Sequence, residues 1–229
     1  MAVCSTGSAR VFDLATGNEI GHVGKEDSVQ GTAFNRNGNL LAAIESDGAA
    51  HNYDLKSGGQ LSQLQMQGEV RQVAFGPDEQ FVAATSRQNT LDLFVASSGK
   101  QLRRLASADA DEEMPAVAVS PDGRYVAVSL IEAVLVFETG TGKRIQVFRQ
   151  EGVVSLAFSD DGRYLAAGGL DSTARVLEVR TGREVSQFHH QRPVTRVALS
   201  PEGQYLLAAS EDGACSRIRY REPPRGFSC

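Results

Sequence analysis

The stretch with the most chemical promise is Phe137 to Ile145, FETGTGKRI, where two glycines and a lysine lie between apolar residues. Such residues cradle phosphate when a glycine stands five places before a Gly-Lys pair, a hydroxyl follows the pair, and the loop joins a strand to a helix. Phe137 and Arg144 occupy those two places instead. The residues that follow, RIQVFRQ, are β-branched and aromatic, so no helix N-terminus aims its amides at an anion. The stretch reads as a hairpin turn, not as a nucleotide site.

Other reactive residue types are sparse. The histidines are His22, His51, His189 and His190, and the adjacent pair points to opposite sides of an extended chain. No cysteine or second histidine lies at ligand spacing, so no metal site is expected. Cys4, Cys215 and Cys229 are far apart and read as reduced, incidental thiols. Cys4 and Cys215 fall in strand-like runs, where a small buried hydrophobe is the expected role. The segment SADADEEMP, Ser107 to Pro115, carries four carboxylates but lacks the glycine and distal glutamate of a calcium loop. It reads as a solvated, lengthened loop, with a partner contact as the second reading. There is no Gly-x-Ser-x-Gly elbow and no distinctive acid pair. No catalytic residue and no cofactor is assigned.

Composition narrows the class further. The chain has 229 residues, with 23 basic and 28 acidic side chains and a formal charge of −5. No Lys/Arg-rich run would track a phosphate backbone, so nucleic acid is not an expected partner. The amino terminus lacks the basic start and apolar core of a secretory signal, and no apolar run reaches the roughly 20 residues needed to cross a bilayer. A soluble, cytoplasmic protein without a membrane partner is expected.

Position is supplied by a repeat. Thr16-Gly17, Ser57-Gly58, Ser98-Gly99, Thr141-Gly142 and Thr181-Gly182 recur at steps of 41, 41, 43 and 40, so the phosphate-like loop is one copy of a five-fold turn. In phase with it run FNRNGNLLAA, FGPDEQFVAA, VSPDGRYVAV, FSDDGRYLAA and LSPEGQYLLA. Each is an apolar run, a turn rich in Pro, Asp, Asn and Gly, and a second apolar run, which is hairpin chemistry. A period near 40 built of short strands is the signature of a propeller. In the second repeat the strands read as Val29 to Phe34, Leu40 to Ile44, Ala49 to Asp54 and Gln60 to Leu64. The first two strands of each repeat are the more apolar and are expected to be the buried pair, with the outer two alternating with charge. One such sheet cannot cover both its apolar faces, so the sheets must stack about an axis.

The repeat resembles the WD-repeat family over nearly the whole chain. The family ends its third strand with Trp-Asp before the Thr-Gly turn, and this sequence places Phe12-Asp13, Tyr53-Asp54, Phe94-Val95, Phe137-Glu138 and Leu177-Glu178 there, with no tryptophan anywhere. The resemblance implies an all-β propeller, with five near-complete four-stranded blades plus a partial one. Such an arrangement is a fragment of, or an incompletely closed, six- or seven-bladed ring. The family's polar tetrad is intact in no blade. Its closest remnant is His190, Ser210 and Asp212, with Ile218 at the aromatic place, and a structural hydrogen-bonding role is expected for His190. In the other repeats the His place aligns with Lys25, Met66, Ala110 and Arg149. The resemblance also implies a contact ring on the loops that enter each first strand and on the turns between second and third strands. Its candidates are Arg71, Arg87, Arg149, His190, Arg196 and Glu211, and the alternative for each is a solvated side chain. Arginines in such a ring favour carboxylate-bearing partners.

The organisation expected is one propeller over 1–220, with units 1–23 (partial), 24–64, 65–105, 106–148, 149–188 and 189–220, and a flexible tail over 221–229. The first unit lacks its inner strand and the last its outer strand. The chain is therefore expected to be a piece of a longer propeller, or one whose open edge is sealed by a second copy or another protein. The function implied is a protein- or peptide-binding scaffold. Two alternatives stand beside it, namely a sensory or regulatory propeller of a larger enzyme, and a hydrolase or lyase using the central channel.

Overall fold

Alternating apolar runs and glycine turns give short antiparallel strands throughout. The computed structural model describes residues 2–5, 8–23, 29–77, 80–107, 113–201 and 203–220, and among these no α-helix occurs. Lys25, Ala110, Cys229, most of the acidic segment and the 221–229 tail lie outside the described residues.

The chain divides into two compact units, Met1–Val117 and Ala118–Cys229. The first unit opens with a three-stranded sheet of β1 (Ala2–Ser5), β2 (Ser8–Phe12) and β3 (Glu19–Val23). The second sheet holds β4 (Val29–Phe34), β5 (Leu40–Glu45), β6 (Ala50–Asp54) and β7 (Gln60–Leu64). The third holds β8 (Val70–Phe75), β9 (Phe81–Ser86), β10 (Thr90–Val95) and β11 (Gln101–Ser107). β12 (Val117–Val119), whose first residue closes that unit, begins the fourth sheet. The second unit continues this sheet with β13 (Tyr125–Ser129), β14 (Ala133–Glu138) and β15 (Arg144–Arg149). The fifth sheet holds β16 (Val153–Phe158), β17 (Tyr164–Gly169), β18 (Thr173–Glu178) and β19 (Glu184–His189). The sixth has three strands, β20 (Val194–Leu199), β21 (Tyr205–Ser210) and β22 (Cys215–Arg219). The strands read from the second repeat's sequence agree with β4 to β7 to within one residue at each end.

The buried pair differs from the expectation. Every residue of β5, β9 and β17 is buried, and β10, β14 and β18 are mostly so, whereas β4, β8 and β16 are at least partly exposed beyond their first residues, Ser155 of β16 excepted. The second and third strands are the core because they lie in the middle of their sheets; the first strand is a sheet edge.

Each core lies between consecutive sheets. In the first unit, Val11 and Val23 pack with Leu41, and Ile44 and Leu64 pack with Val82 and Phe94. In the second, Val134 and Val136 pack with Leu165 and Leu177, and Tyr164 and Val176 pack with Leu206 and Tyr220. Burying one such side chain contributes about 1.5–3 kcal/mol, so stacking rather than strand pairing carries most of the stability.

The five-fold turn is the same backbone device each time. Gly17, Gly58, Gly99 and Gly142 donate their amides at 2.8 Å to the carbonyls of Asp13, Asp54, Val95 and Glu138, and Gly182 does so to Glu178 at 2.9 Å. Since the Gly142 amide is spent on its own turn, the phosphate-like loop closes a hairpin.

Candidate protein-binding face

The loops entering first strands are tied by backbone hydrogen bonds to the turns between second and third strands. In the first unit, Val70 donates to Gly48 at 2.7 Å and Arg87 to Glu69 at 2.8 Å. In the second unit, Gly152 donates to Ile131 at 2.7 Å and Leu170 to Gly152 at 2.9 Å. His190 donates to Ser172 at 2.8 Å, and Glu211 to Pro193 at 3.0 Å. Each of these three entry loops thus bonds both to a turn of its own sheet and to a turn of the preceding sheet. These loops carry side chains on a rigid frame, which is what a binding surface requires.

The candidate arginines sit differently from one another. Arg87, on the turn after β9, pairs with Glu69 at 2.9 Å, both largely exposed, and Arg71, the second residue of β8 rather than a loop residue, pairs with Glu113 at 2.8 Å. Exposed pairs of this kind contribute about 0–1 kcal/mol, so an incoming carboxylate can displace the resident one at small cost. Arg149 is exposed at the end of β15, and its carbonyl accepts a hydrogen bond from Arg175 Nη1 at 3.4 Å. Glu211 is exposed on the turn after β21. Arg196 lies within β20 rather than on a loop, exposed, with Nη1 donating to the Thr195 carbonyl at 2.8 Å. No side-chain contact among the described residues joins Arg149, His190, Arg196 and Glu211.

The tetrad remnant is not assembled, which corrects the expectation. Ser210 Oγ donates to the Arg192 carbonyl at 2.9 Å, and Asp212 Oδ1 accepts the Ala214 amide at 2.7 Å. Neither group bonds His190, whose Nε2 is buried without a hydrogen-bond partner among the described residues.

A polar network of that kind stands in the fifth sheet instead. Gln150 Nε2 donates to Thr173 Oγ1 at 3.0 Å, and Thr173 Oγ1 donates to Asp171 at 2.8 Å. Arg175 reaches Asp171 at 3.4 Å and Glu184 at 3.3 Å. The repeat alignment put Arg149 at the histidine place, yet Gln150 is the buried residue and Arg149 the exposed one. Strand alternation carries the signal, since Phe148 and Gln150 point inward on either side of Arg149.

A related polar pair recurs between third and fourth strands. Arg10 bonds Glu19, and Arg175 bonds Glu184 at the matching places. In the second sheet the places hold His51 and Gln60, with Gln60 Nε2 donating to His51 Nδ1 at 3.0 Å and Asp47 Oδ2 lying 2.9 Å from His51 Nε2. Cys215 is exposed on β22, which corrects its expected burial. Among the described residues no cluster of three or more His, Cys, Asp or Glu side chains is arranged to hold a metal.

The WD40 family model, "WD domain, G-beta repeat", matches residues 142–177 and 182–216. Residues 142–177 and 182–216 match as two WD repeats. These two matched stretches cover most of the fifth and sixth sheets. The chain is 26% identical over 108 residues to the target of rapamycin complex subunit wat1 of Schizosaccharomyces pombe, a match covering 45% of this chain and 34% of that protein. It is 33% identical over 99 residues to WD repeat-containing protein SL1-17 of Schistosoma mansoni, covering 42% and 33%. The match to Pre-mRNA-processing factor 19 of Oryza sativa subsp. japonica is 35% identical over 65 residues, covering 28% and 12%. The matched segments span about a third or less of these relatives' lengths. The crystal structure of the computationally designed Ika8 protein aligns with a TM-score of 0.76 at 21% identity, covering 94% of this chain and 66% of that one. The fold of the WD repeats here is the β-propeller fold.

Proposed function

We propose that this WD-repeat chain is a non-catalytic scaffold that binds a protein or peptide partner through the loops entering its first strands and the turns between second and third strands. The observation that carries this reading is the backbone stitching of those loops, such as Arg87 to Glu69 and Val70 to Gly48, which holds Arg71 and Arg87 on a fixed frame beside displaceable carboxylates. A partner with carboxylates at the matching spacing exchanges for Glu113 and Glu69 without reorganising the backbone. Relatives named as a complex subunit and as a processing factor support a role in assemblies.

The test is affinity capture with the full chain, comparing the native protein with an Arg71→Ala/Arg87→Ala variant and an Arg149→Ala variant. Loss of specific proteins from the variants supports the reading. Recovery of the same proteins in the same amounts by all three would overturn it.

A further inference from the structure

The sixth sheet presents a face that breaks the repeat's own rule. At one third-strand position the repeats hold Val11, Asn52, Leu93, Val136 and Val176, each at most 3% exposed. The matching residue on β22 is Arg217, and it is exposed. Two residues earlier, where the fifth sheet buries Ala174, the sixth exposes Cys215. Register places Leu207 opposite Arg217 and Tyr205 opposite Arg219, while Arg196 pairs with Ala209 on the neighbouring strand. Paired residues share a face. Val197, Leu206 and Ala208 fill the opposite face and pack against the fifth sheet, so Arg196, Arg217 and Arg219 all point away from it. The Arg217 guanidinium lies 3.8 Å from the Tyr205 ring centroid, and Leu207 is 40% exposed between them and β20. Among the described residues none of these three arginines makes an ion pair, and β22 has a hydrogen-bonded neighbour on one side only. Glu211 and Asp212 lie in the turn before β22, and Glu222, the acid nearest Arg219 in sequence, lies outside the described residues.

We propose that this face and edge bind an acidic extended segment of a partner protein, which pairs with β22 as a fourth strand and sets carboxylates against Arg217 and Arg219. An apolar sheet packs on buried valine and alanine, as the fifth does; a face carrying three arginines over an exposed leucine and tyrosine fits an apolar strand bearing negative charge. Because Arg217 and Arg219 are two residues apart, the segment carries acids at alternate positions. The surface uses residues separate from Arg71 and Arg87, so its test is independent of the loop reading.

The probe is a labelled Ser-Glu-Val-Glu-Val-Glu-Ser peptide, followed by fluorescence anisotropy with the full chain. The acidic peptide is expected to bind, and to bind less as salt is raised. Its lysine counterpart and a version with proline at the central glutamate, which cannot complete the strand ladder, are expected not to bind. Arg217→Glu/Arg219→Glu is expected to weaken binding about tenfold, and Lys143→Glu, at an exposed cation of the β14–β15 turn, to leave it unchanged. Arg217→Gln/Arg219→Gln repeats the test should the charge reversal fail to fold by circular dichroism. Equal binding by the Arg217/Arg219 variants would overturn the proposal. So would binding of the proline peptide, or competition by inorganic polyphosphate at equal charge, either of which marks a mere anion site. A dimer lost on Arg217→Glu/Arg219→Glu, with no peptide bound, would assign the face to a second copy instead and equally overturn it.

Discussion

Arg104 grips Asp92 with two hydrogen bonds, Nε to Oδ1 at 2.8 Å and Nη2 to Oδ2 at 3.1 Å. Asp92 lies on β10 with its side chain 1% exposed, and Arg104 reaches it from β11 while donating a third bond to Gln67 Oε1 at 3.1 Å. The bond to Asp92 also holds the Arg104 pKa above its ordinary value, so the guanidinium stays charged throughout. A buried carboxylate without its partner is far costlier than the pair is stabilising. Arg104→Ala is therefore expected to lower unfolding free energy by about 3 kcal/mol, whereas replacing both residues with leucine costs about 1 kcal/mol or less. Urea unfolding of the single and double variants checks this, and equal losses would refute the desolvation argument.

Much of this architecture was legible before any coordinates. The turn steps and the Pro/Asp/Gly hairpins placed β4 to β7 to within one residue, because glycine at positive φ is a local requirement that sequence reports directly. What the sequence did not show is which strands are buried and which polar groups meet. β4 (VQGTAF) is less apolar than β5 (LLAAIE), but grouping the first two strands together hid the difference, and the sheet order makes β5 central and β4 an edge. Gln150 was missed because its importance lies in what faces it, Thr173 and Asp171, and a side-chain amide has no sequence signature of its own. His190 was over-read for the converse reason. Its residue type matched the tetrad, but Ser210 is bonded to Arg192.

Gly99 adds a backbone clash to the positive φ that it shares with Gly17 and Gly58. Its φ is +67°, and a Cβ there would run into the carbonyl of Gln63 on the second sheet, whereas a Cβ on Gly58, at φ +69°, meets nothing within 4 Å. The backbone penalty is shared, and the clash is not. Gly58→Ala is expected to cost about 1 kcal/mol and Gly99→Ala about 3 kcal/mol. Thermal unfolding of the two variants reads the difference, and equal losses would show that the third turn has room to shift away from β7.

Asp54 shows how the acidic residue before the turn acts. Its Oδ1 accepts the amides of Ser57 at 3.1 Å and Lys56 at 2.7 Å, and these backbone donors, Ser57 foremost, hold its pKa below the ordinary 3.8. The carboxylate is thus favoured more in the folded chain than in the unfolded one. Its contribution to stability is fully present above pH 3.8 and is lost as pH falls through the lowered folded value. A carboxyl NMR titration is expected to give a midpoint below 3.8, and Asp54→Asn to remove this share of the acid sensitivity while keeping an acceptor for the Ser57 amide. A midpoint at or above the ordinary value would contradict the bonding described.

Thr173 is the hinge of the fifth-sheet network, accepting from Gln150 Nε2 at 3.0 Å and from Arg175 Nε at 3.3 Å while donating to Asp171 at 2.8 Å. Valine keeps its shape and removes all three bonds. Gln150 is 3% exposed and its Oε1 already has no partner, so its amide would keep only the Thr173 carbonyl at 3.3 Å and a long contact to Asp171. Thr173→Val is expected to cost about 2 kcal/mol, the range for stranding a buried donor. Replacing Gln150 with leucine in the Thr173→Val background removes the stranded group and is expected to recover about half of that loss. A double-mutant cycle by urea unfolding measures the coupling. Strict additivity would mean that Gln150 and Thr173 stabilise the fold independently, and that the network is a set of neighbours rather than a unit.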